Sequence, residues 1–175
     1  LMIIVFSVVA QQMLARIGPR NVAVIGMVVA AVGFLLLRSI EPGGSYWTQL
    51  LPGIMVLAAG LGMTFVPLTL IATGGVRNED AGLASGLFNT SQQVGGALGL
   101  AILTTVANSH TAGLLADSPG TPGLAEQASA TVDGYHLGFL VGSGLMLAGA
   151  VVLMAVIRKR DLEAVALDAP APAHM

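Results

Sequence analysis

The sequence contains no cysteine and very little charge. Without cysteine, the 175 residues can form no disulfide bond and offer no thiolate to a metal ion. Charged residues make up 9% of the chain, whereas soluble domains carry about 25%. The basic residues are confined to short segments between the apolar stretches and directly after the last one, so no basic patch is available to bind nucleic acid. A soluble domain and a nucleic-acid partner are therefore both excluded.

The sequence also lacks the residue patterns of common catalytic and cofactor sites. No nucleophile with a nearby base, no pair of carboxylates and no phosphate-binding loop can be assembled from it. His110 and His136 have no further ligands at the spacing of a metal site. We therefore expect neither an enzyme nor a metal or organic cofactor.

Apolar residues dominate what remains, at 55% of the chain. Five apolar stretches predict an all-α, polytopic transmembrane helix bundle of about five spans, within residues 1–160. The tail, 161–175, is rich in alanine, proline and acid and is predicted to be disordered. A polar loop is expected over 108–133. The spans are predicted at 1–15, 21–37, 47–73, 81–107 and 134–157.

The first span is short, and the distribution of basic residues predicts an orientation. Residues 1–15 would form about 22 Å of helix, too little to cross a bilayer with ease, which suggests that the front of a longer chain is missing. With five spans, every basic residue except Arg38 falls on one face. By the positive-inside rule this face is cytoplasmic. We expect a multi-pass protein of the plasma (cytoplasmic) membrane with a cytoplasmic C-terminus.

The fourth span carries a polar run in its centre. Residues 89–93 read Asn-Thr-Ser-Gln-Gln, within 27 residues that contain no charge and no proline. Polar groups at mid-membrane are costly unless they find partners or line a wet cavity. We therefore predict an internal cavity bordered by the first, third and fourth spans and supported by the second and fifth. The candidate substrate-binding or cavity residues are Asn89, Gln92, Gln93, Thr64 and Phe88.

Each of these candidates has a plainer structural alternative. The amides could hydrogen-bond neighbouring helices, and Thr64 could bond its own helix backbone. Phe88 could contact lipid or pack against a neighbouring helix. The same span holds two pairs of glycines four residues apart, which would let another helix approach closely. These predicted helix-packing residues are Gly82, Gly86, Gly95 and Gly99.

Two segments resemble a known transporter family. Residues 81–101 (AGLASGLFNTSQQVGGALGLA) resemble the penultimate helix of fourteen-span drug:proton antiporters of the major facilitator superfamily. The turn Arg16-Ile-Gly18-Pro-Arg20 is similar to the basic loop between the second and third helices of each half. The resemblance makes the five spans the tenth to fourteenth helices, part of the C-terminal half, and makes Arg16, Gly18 and Arg20 a cytoplasmic topology loop.

The resemblance implies an alternating-access carrier in the lipid bilayer that expels small hydrophobic or cationic substrates, with protons as the coupling ion. Such a carrier would need the missing N-terminal helices. Two departures from the family pattern stand out. Ala15 occupies the position where the loop usually has an acid, and no acid lies inside any predicted span. A proton-carrying carboxylate would therefore have to lie outside this chain.

A second hypothesis is a structural or assembly subunit of a membrane complex, in which the polar run binds a partner helix. A third, a membrane-embedded enzyme, has the least support because no acid, base or metal ligand is expected in the membrane, with His110 and His136 placed near its outer face. A long upstream reading frame with an intramembrane Asp or Glu would favour the transporter, and a short one the subunit.

Overall fold

The computed structural model of the protein describes residues 2–157 except 75, 78 and 119. Leu1, the basic residues Arg158–Arg160 and the predicted disordered tail lie outside the described residues. Within them the chain is all α-helical, as predicted, and contains no strand. The α-helices are α1 (Met2–Ile17), α2 (Pro19–Leu36), α3 (Leu51–Thr73), α4 (Ala81–Ala116) and α5 (Leu124–Val156).

The connection between α2 and α3 contains one 3₁₀ turn and one π-helical turn. A 3₁₀ turn, Leu37–Ser39, continues α2, and a π-helical turn, Tyr46–Leu50, leads into α3. Together with these turns, the described helices include four that are long and apolar enough to span a membrane. The apolar helix α1 has 16 residues and is shorter, in line with the short first span. The chain is therefore a multi-pass membrane protein.

The closest helix packing is between α2 and α3. A Cβ atom on Gly33 would lie 2.5 Å from the backbone nitrogen of Leu57, and one on Gly60 would lie 2.6 Å from the carbonyl oxygen of Gly26. Such distances leave no room for a side chain, so the two backbones are in near contact. Small residues commonly allow this in lipid, where van der Waals packing drives helix association.

The helices follow one another in space in an order that differs from the sequence. Helix α1 packs on α3, α3 on α2, α2 on α5 and α5 on α4, while α4 contacts α3 only slightly. Helix α4 consequently lies at one edge, and Ala107 is its single buried residue among those described. Helices α1 and α4 are the first and last in this packing order, and a groove lies between them.

The predicted loop over 108–133 is wrong for most of its length. Helix α4 continues to Ala116 and α5 begins at Leu124, so only a short connection separates them. The reason is that these small residues pair the two helices. The Thr111 hydroxyl lies 3.1 Å from the carbonyl oxygen of Ala130, and Gly134 sits directly against Thr111 and Ala107. At 36 residues, α4 is about 54 Å long and exceeds the hydrocarbon core of about 30 Å.

Candidate functional site

The polar run lies on the exposed first half of α4. Asn89, Gln92 and Gln93 are exposed, and Phe88 is half-buried. Among the residues that the structure describes, none forms a hydrogen bond with these three amide side chains. The Thr90 hydroxyl donates to the carbonyl oxygen of Gly86, in its own helix, at 2.9 Å. The amides are therefore not consumed by the packing of the described helices.

Two of the predicted site residues meet at the groove between α1, α3 and α4. Gln92 lies on its α4 side and Thr64 on its α3 side, and the groove has a volume of about 490 Å³. Its other walls are apolar. The three helices are those expected to border a cavity, whereas Asn89, Gln93 and Phe88 do not line this groove. The remaining lining residues are Ile3, Leu61, Phe65 and Leu68.

Thr64 is largely occupied by structural contacts. Its side chain is buried, and its hydroxyl donates to the carbonyl oxygen of Gly60, one turn earlier, at 2.8 Å. The hydroxyl oxygen of Thr64 also lies against Gly26 of α2. The bond to its own helix backbone is the plainer alternative that the sequence left open. Thr64 therefore fixes the α2–α3 contact and presents little hydrogen-bonding capacity to the groove.

The predicted packing glycines of α4 do not meet any other helix that the structure describes. A Cβ atom on Gly82, Gly86, Gly95 or Gly99 would have no atom of the described structure within 4 Å. The glycines that do pack are on other helices. Sequence reasoning did not identify them as contacts, although the stripe of small residues Gly26, Ala30 and Gly33 was a usable signal.

The basic turn joins α1 to α2 and reaches α5. Gly18 has φ of 80°, a left-handed conformation that glycine adopts without steric cost, and Pro19 then begins α2. Arg16 is exposed, whereas Arg20 donates from Nη2 to the carbonyl oxygen of Met154 in the last turn of α5, at 2.7 Å. Sequence reasoning assigned Arg20 to topology and missed this contact.

At the opposite end of the bundle, α5 contacts the segment that follows α2. The Nε2 atom of His136 lies 2.8 Å from the carbonyl oxygen of Ile40. Phe34 and Tyr135 stack near Phe139 just below, with ring centroids 6.3 and 6.5 Å from that of Phe139. Contacts near both ends thus hold α2 and α5 together. The two contact residues on α5, His136 and Met154, are about 27 Å apart along the helix.

Comparison with known proteins agrees with the family resemblance noted in the sequence. The family model of the Major Facilitator Superfamily matches residues 1–173. The chain is 37% identical over 156 residues to puromycin resistance protein pur8 of Streptomyces alboniger, covering 88% of this chain and 31% of that protein.

Other relatives carry similar names. Cephamycin export protein CmcT of Amycolatopsis lactamdurans is 36% identical, over 64% of this chain and 23% of that protein. Multidrug transporter protein MdtP of Bacillus subtilis is 30% identical, over 72% and 24%. The chain spans less than a third of the length of each of these relatives. The chain belongs to the major facilitator superfamily.

Proposed function

We propose that this chain forms the C-terminal part of a secondary active transporter that exports small hydrophobic or cationic compounds by alternating access. Family membership supports a transporter, and relatives named for resistance, export and multidrug transport support efflux. Because the chain matches less than a third of each relative, we assign transport to a larger assembly that supplies the remaining helices.

The observation that carries this proposal is the exposed amide run of α4. Asn89 and Gln93 lie about 12 and 18 Å along the helix from Ala81, near the middle of a hydrocarbon core about 30 Å thick. An amide facing lipid at that depth would lose its hydrogen bonds, at a cost of several kcal/mol. We assign Asn89, Gln92 and Gln93 to a water-filled substrate pathway, where water and substrate would satisfy them.

The groove beside Gln92 indicates what kind of compound would fit. Leu61, Phe65 and Leu68 offer an apolar wall, and Gln92 offers a donor and an acceptor. Pockets of this kind suit an apolar body with a few hydrogen-bonding groups. Phe88 lies outside the groove, half-buried one turn before Gln92, and we propose that it contacts the part of the same compound that extends beyond the groove.

Proton coupling requires an ionisable group within the membrane. Helices α1 to α4 contain no Asp or Glu, and the two acids of α5, Glu126 and Asp133, lie near its beginning. We propose that protons are the coupling ion and that their acceptor lies on helices outside this chain. We further propose that the turn containing Arg16 and Arg20, together with the C-terminus, is cytoplasmic.

A flux measurement tests the proposal. The protein expressed from its complete reading frame is reconstituted in liposomes, and efflux of a cationic dye is followed under an imposed proton gradient. Gradient-driven efflux is expected, and the double variant Asn89→Ala/Gln93→Ala should reduce it about tenfold through loss of hydrogen bonds to substrate. Gln127→Ala is the matched control, because that amide donates to the carbonyl oxygen of Pro122 outside the predicted pathway.

The alternative, a structural or assembly subunit, predicts a different result. The glycine face of α4 has open space that a partner helix could fill. If the protein gives no gradient-driven flux and the amide variants instead dissociate a membrane complex, the subunit is correct and the transporter proposal fails.

A further inference from the structure

We infer that the bundle binds a zwitterionic phospholipid at the end opposite the turn of Arg16 and Arg20. Its two acyl chains lie in two apolar grooves beside α5, and its head group lies between Arg38 and Asp133. This inference does not depend on the proposed transport function, because it concerns only the contacts of these helices with the surrounding membrane.

The first groove lies where α5 meets the connection between α2 and α3. It has a volume of about 440 Å³, and the surface that it presents to an occupant is apolar. Volumes of about 300–1,000 Å³ are typical of pockets that hold small molecules. The groove therefore suits an apolar chain and offers nothing to a polar ligand. Its lining residues are Ile40, Leu50, Val132, Tyr135, His136 and Phe139.

A second apolar groove, of about 200 Å³, lies between α2, α4 and α5. Tyr135 and Phe139 line both grooves, and Phe34 forms the α2 side of the second. The hydroxyl of Thr104 in its wall donates to the carbonyl oxygen of Leu100, in the same helix, at 2.8 Å. Two flexible chains of one lipid suit this pair of adjoining grooves better than a partner helix, which is a single cylinder about 10 Å across.

The grooves lie at the depth where hydrocarbon meets the lipid head groups. His136 is about 27 Å along α5 from Met154, close to the thickness of the hydrocarbon core. Next to Leu50, in the π-helical turn, Tyr46 and Trp47 are 51% and 72% exposed. Exposed tyrosine and tryptophan concentrate at the membrane interface. An occupant at this depth therefore has its polar part among the head groups and its apolar part below them.

Charged side chains at the edge of the first groove supply both signs. Arg38 is exposed two residues before Ile40, in the 3₁₀ turn that contacts α5. Asp133, one turn before His136, has a side chain that is 57% exposed. In the described part of the chain, Arg38 has no acid within ion-pair distance, and Asp133 has only His136, at 3.7 Å. The guanidinium can bind a phosphate, and the carboxylate can accept hydrogen bonds from an ammonium.

The balance of charge at this end discriminates among phospholipids. Besides Asp133, the acids Glu41, Asp117 and Glu126 lie on the segments that meet there, and Arg38 is the single arginine on them. These acids repel an anionic lipid, whereas an ethanolamine head group brings a positive charge of its own. A choline head group has no N–H to donate to Asp133. Phosphatidylethanolamine is therefore the lipid that matches the site.

Photo-crosslinking tests the site. The protein expressed from its complete reading frame is reconstituted in bilayers with a trace of phosphatidylethanolamine that carries a diazirine in one acyl chain. Labelled peptides are identified by mass spectrometry. Labelling of 132–139 should exceed that of 151–156, a largely exposed apolar stretch of the same helix. Val132→Phe, which fills the first groove, should lower the label on 40–50 and leave the label on 151–156 unchanged.

Head-group variants test the specificity, and they alter exposed side chains that are not needed for folding. In the wild type, the phosphatidylethanolamine probe should label 132–139 about two- to fivefold more than a phosphatidylcholine probe with the same chain, the range for one exposed ion pair. Asp133→Asn should abolish this preference, and Arg38→Gln should lower labelling by both probes. Arg16→Gln, exposed at the opposite end, is the control and should change neither.

Three results would overturn the inference. Equal labelling of 132–139 and 151–156 by phosphatidylethanolamine would mean that the grooves hold lipid no better than any exposed surface. Absence of label at the grooves with both probes would mean that another helix of the complete protein covers them. A preference for phosphatidylethanolamine that survives Asp133→Asn would exclude the head-group contact.

Discussion

The guanidinium of Arg20 donates from Nη2 to the carbonyl oxygen of Met154 at 2.7 Å, joining the first turn of α2 to the last turn of α5. Carbonyls in the last turn of a helix have no partner within the helix, and a cation there is favourable for the helix dipole. The residues are 134 positions apart, so the contact exists only because α2 and α5 pack side by side.

Replacing Arg20 should therefore destabilise the bundle. We expect Arg20→Ala to lower the free energy of unfolding by about 1–2 kcal/mol, as a charged donor and its capped carbonyl are lost. Arg20→Lys should recover part of this loss. Arg16→Ala is the control, because Arg16 is exposed in the same turn. Thermal unfolding in detergent measures the differences, and equal melting temperatures for the two alanine variants would contradict the capping role.

The α2–α3 crossing should not tolerate a side chain at Gly60. A Cβ there would lie 2.6 Å from the Gly26 carbonyl oxygen, so Gly60→Ala must separate two backbones, at about 1–3 kcal/mol. Gly86→Ala on α4 has open space within the described structure and serves as the control. The yield of folded protein and its melting temperature should fall for Gly60→Ala alone. A Gly60→Ala variant as stable as wild type would show that the crossing is looser than described.

The helices that replace the predicted loop should project from the membrane on one side. Helix α4 is about 54 Å long, and its last residues extend beyond a hydrocarbon core of about 30 Å. In intact cells, we expect Asp117→Cys to react with a membrane-impermeant maleimide added outside, and Arg16→Cys to react only after the cells are opened. The reverse pattern would contradict the proposed orientation.

The sequence predicted the helices well where hydrophobicity decides the structure. Four α-helices begin within four residues of their predicted spans, since long apolar runs leave a membrane chain few alternatives to a helix. The fifth, α5, begins ten residues early, at Leu124 rather than 134. Small polar residues there are compatible with either a loop or a paired helix, and the pairing through Thr111 and Gly134 decides between them.

The candidate site was harder to predict in detail. The amide run stood out because its chemistry conflicts with its surroundings, and the structure places Gln92 and Thr64 at one groove. The contacts of Arg20 with Met154 and of His136 with Ile40 join residues 134 and 96 positions apart. They depend on which helices become neighbours, and no local pattern in the sequence encodes that order.

Solvent accessibility of the amide run in the complete protein tests the central claim most directly. The chain has no cysteine, so Asn89→Cys, Gln92→Cys and Gln93→Cys each introduce one thiol within it. We predict that all three react with a hydrophilic methanethiosulfonate reagent and that a transported compound slows the reaction. Leu98→Cys, on the same helix, is the control and should react at least tenfold more slowly if lipid covers it. Complete resistance of the three positions to every water-soluble thiol reagent would contradict a substrate pathway along α4.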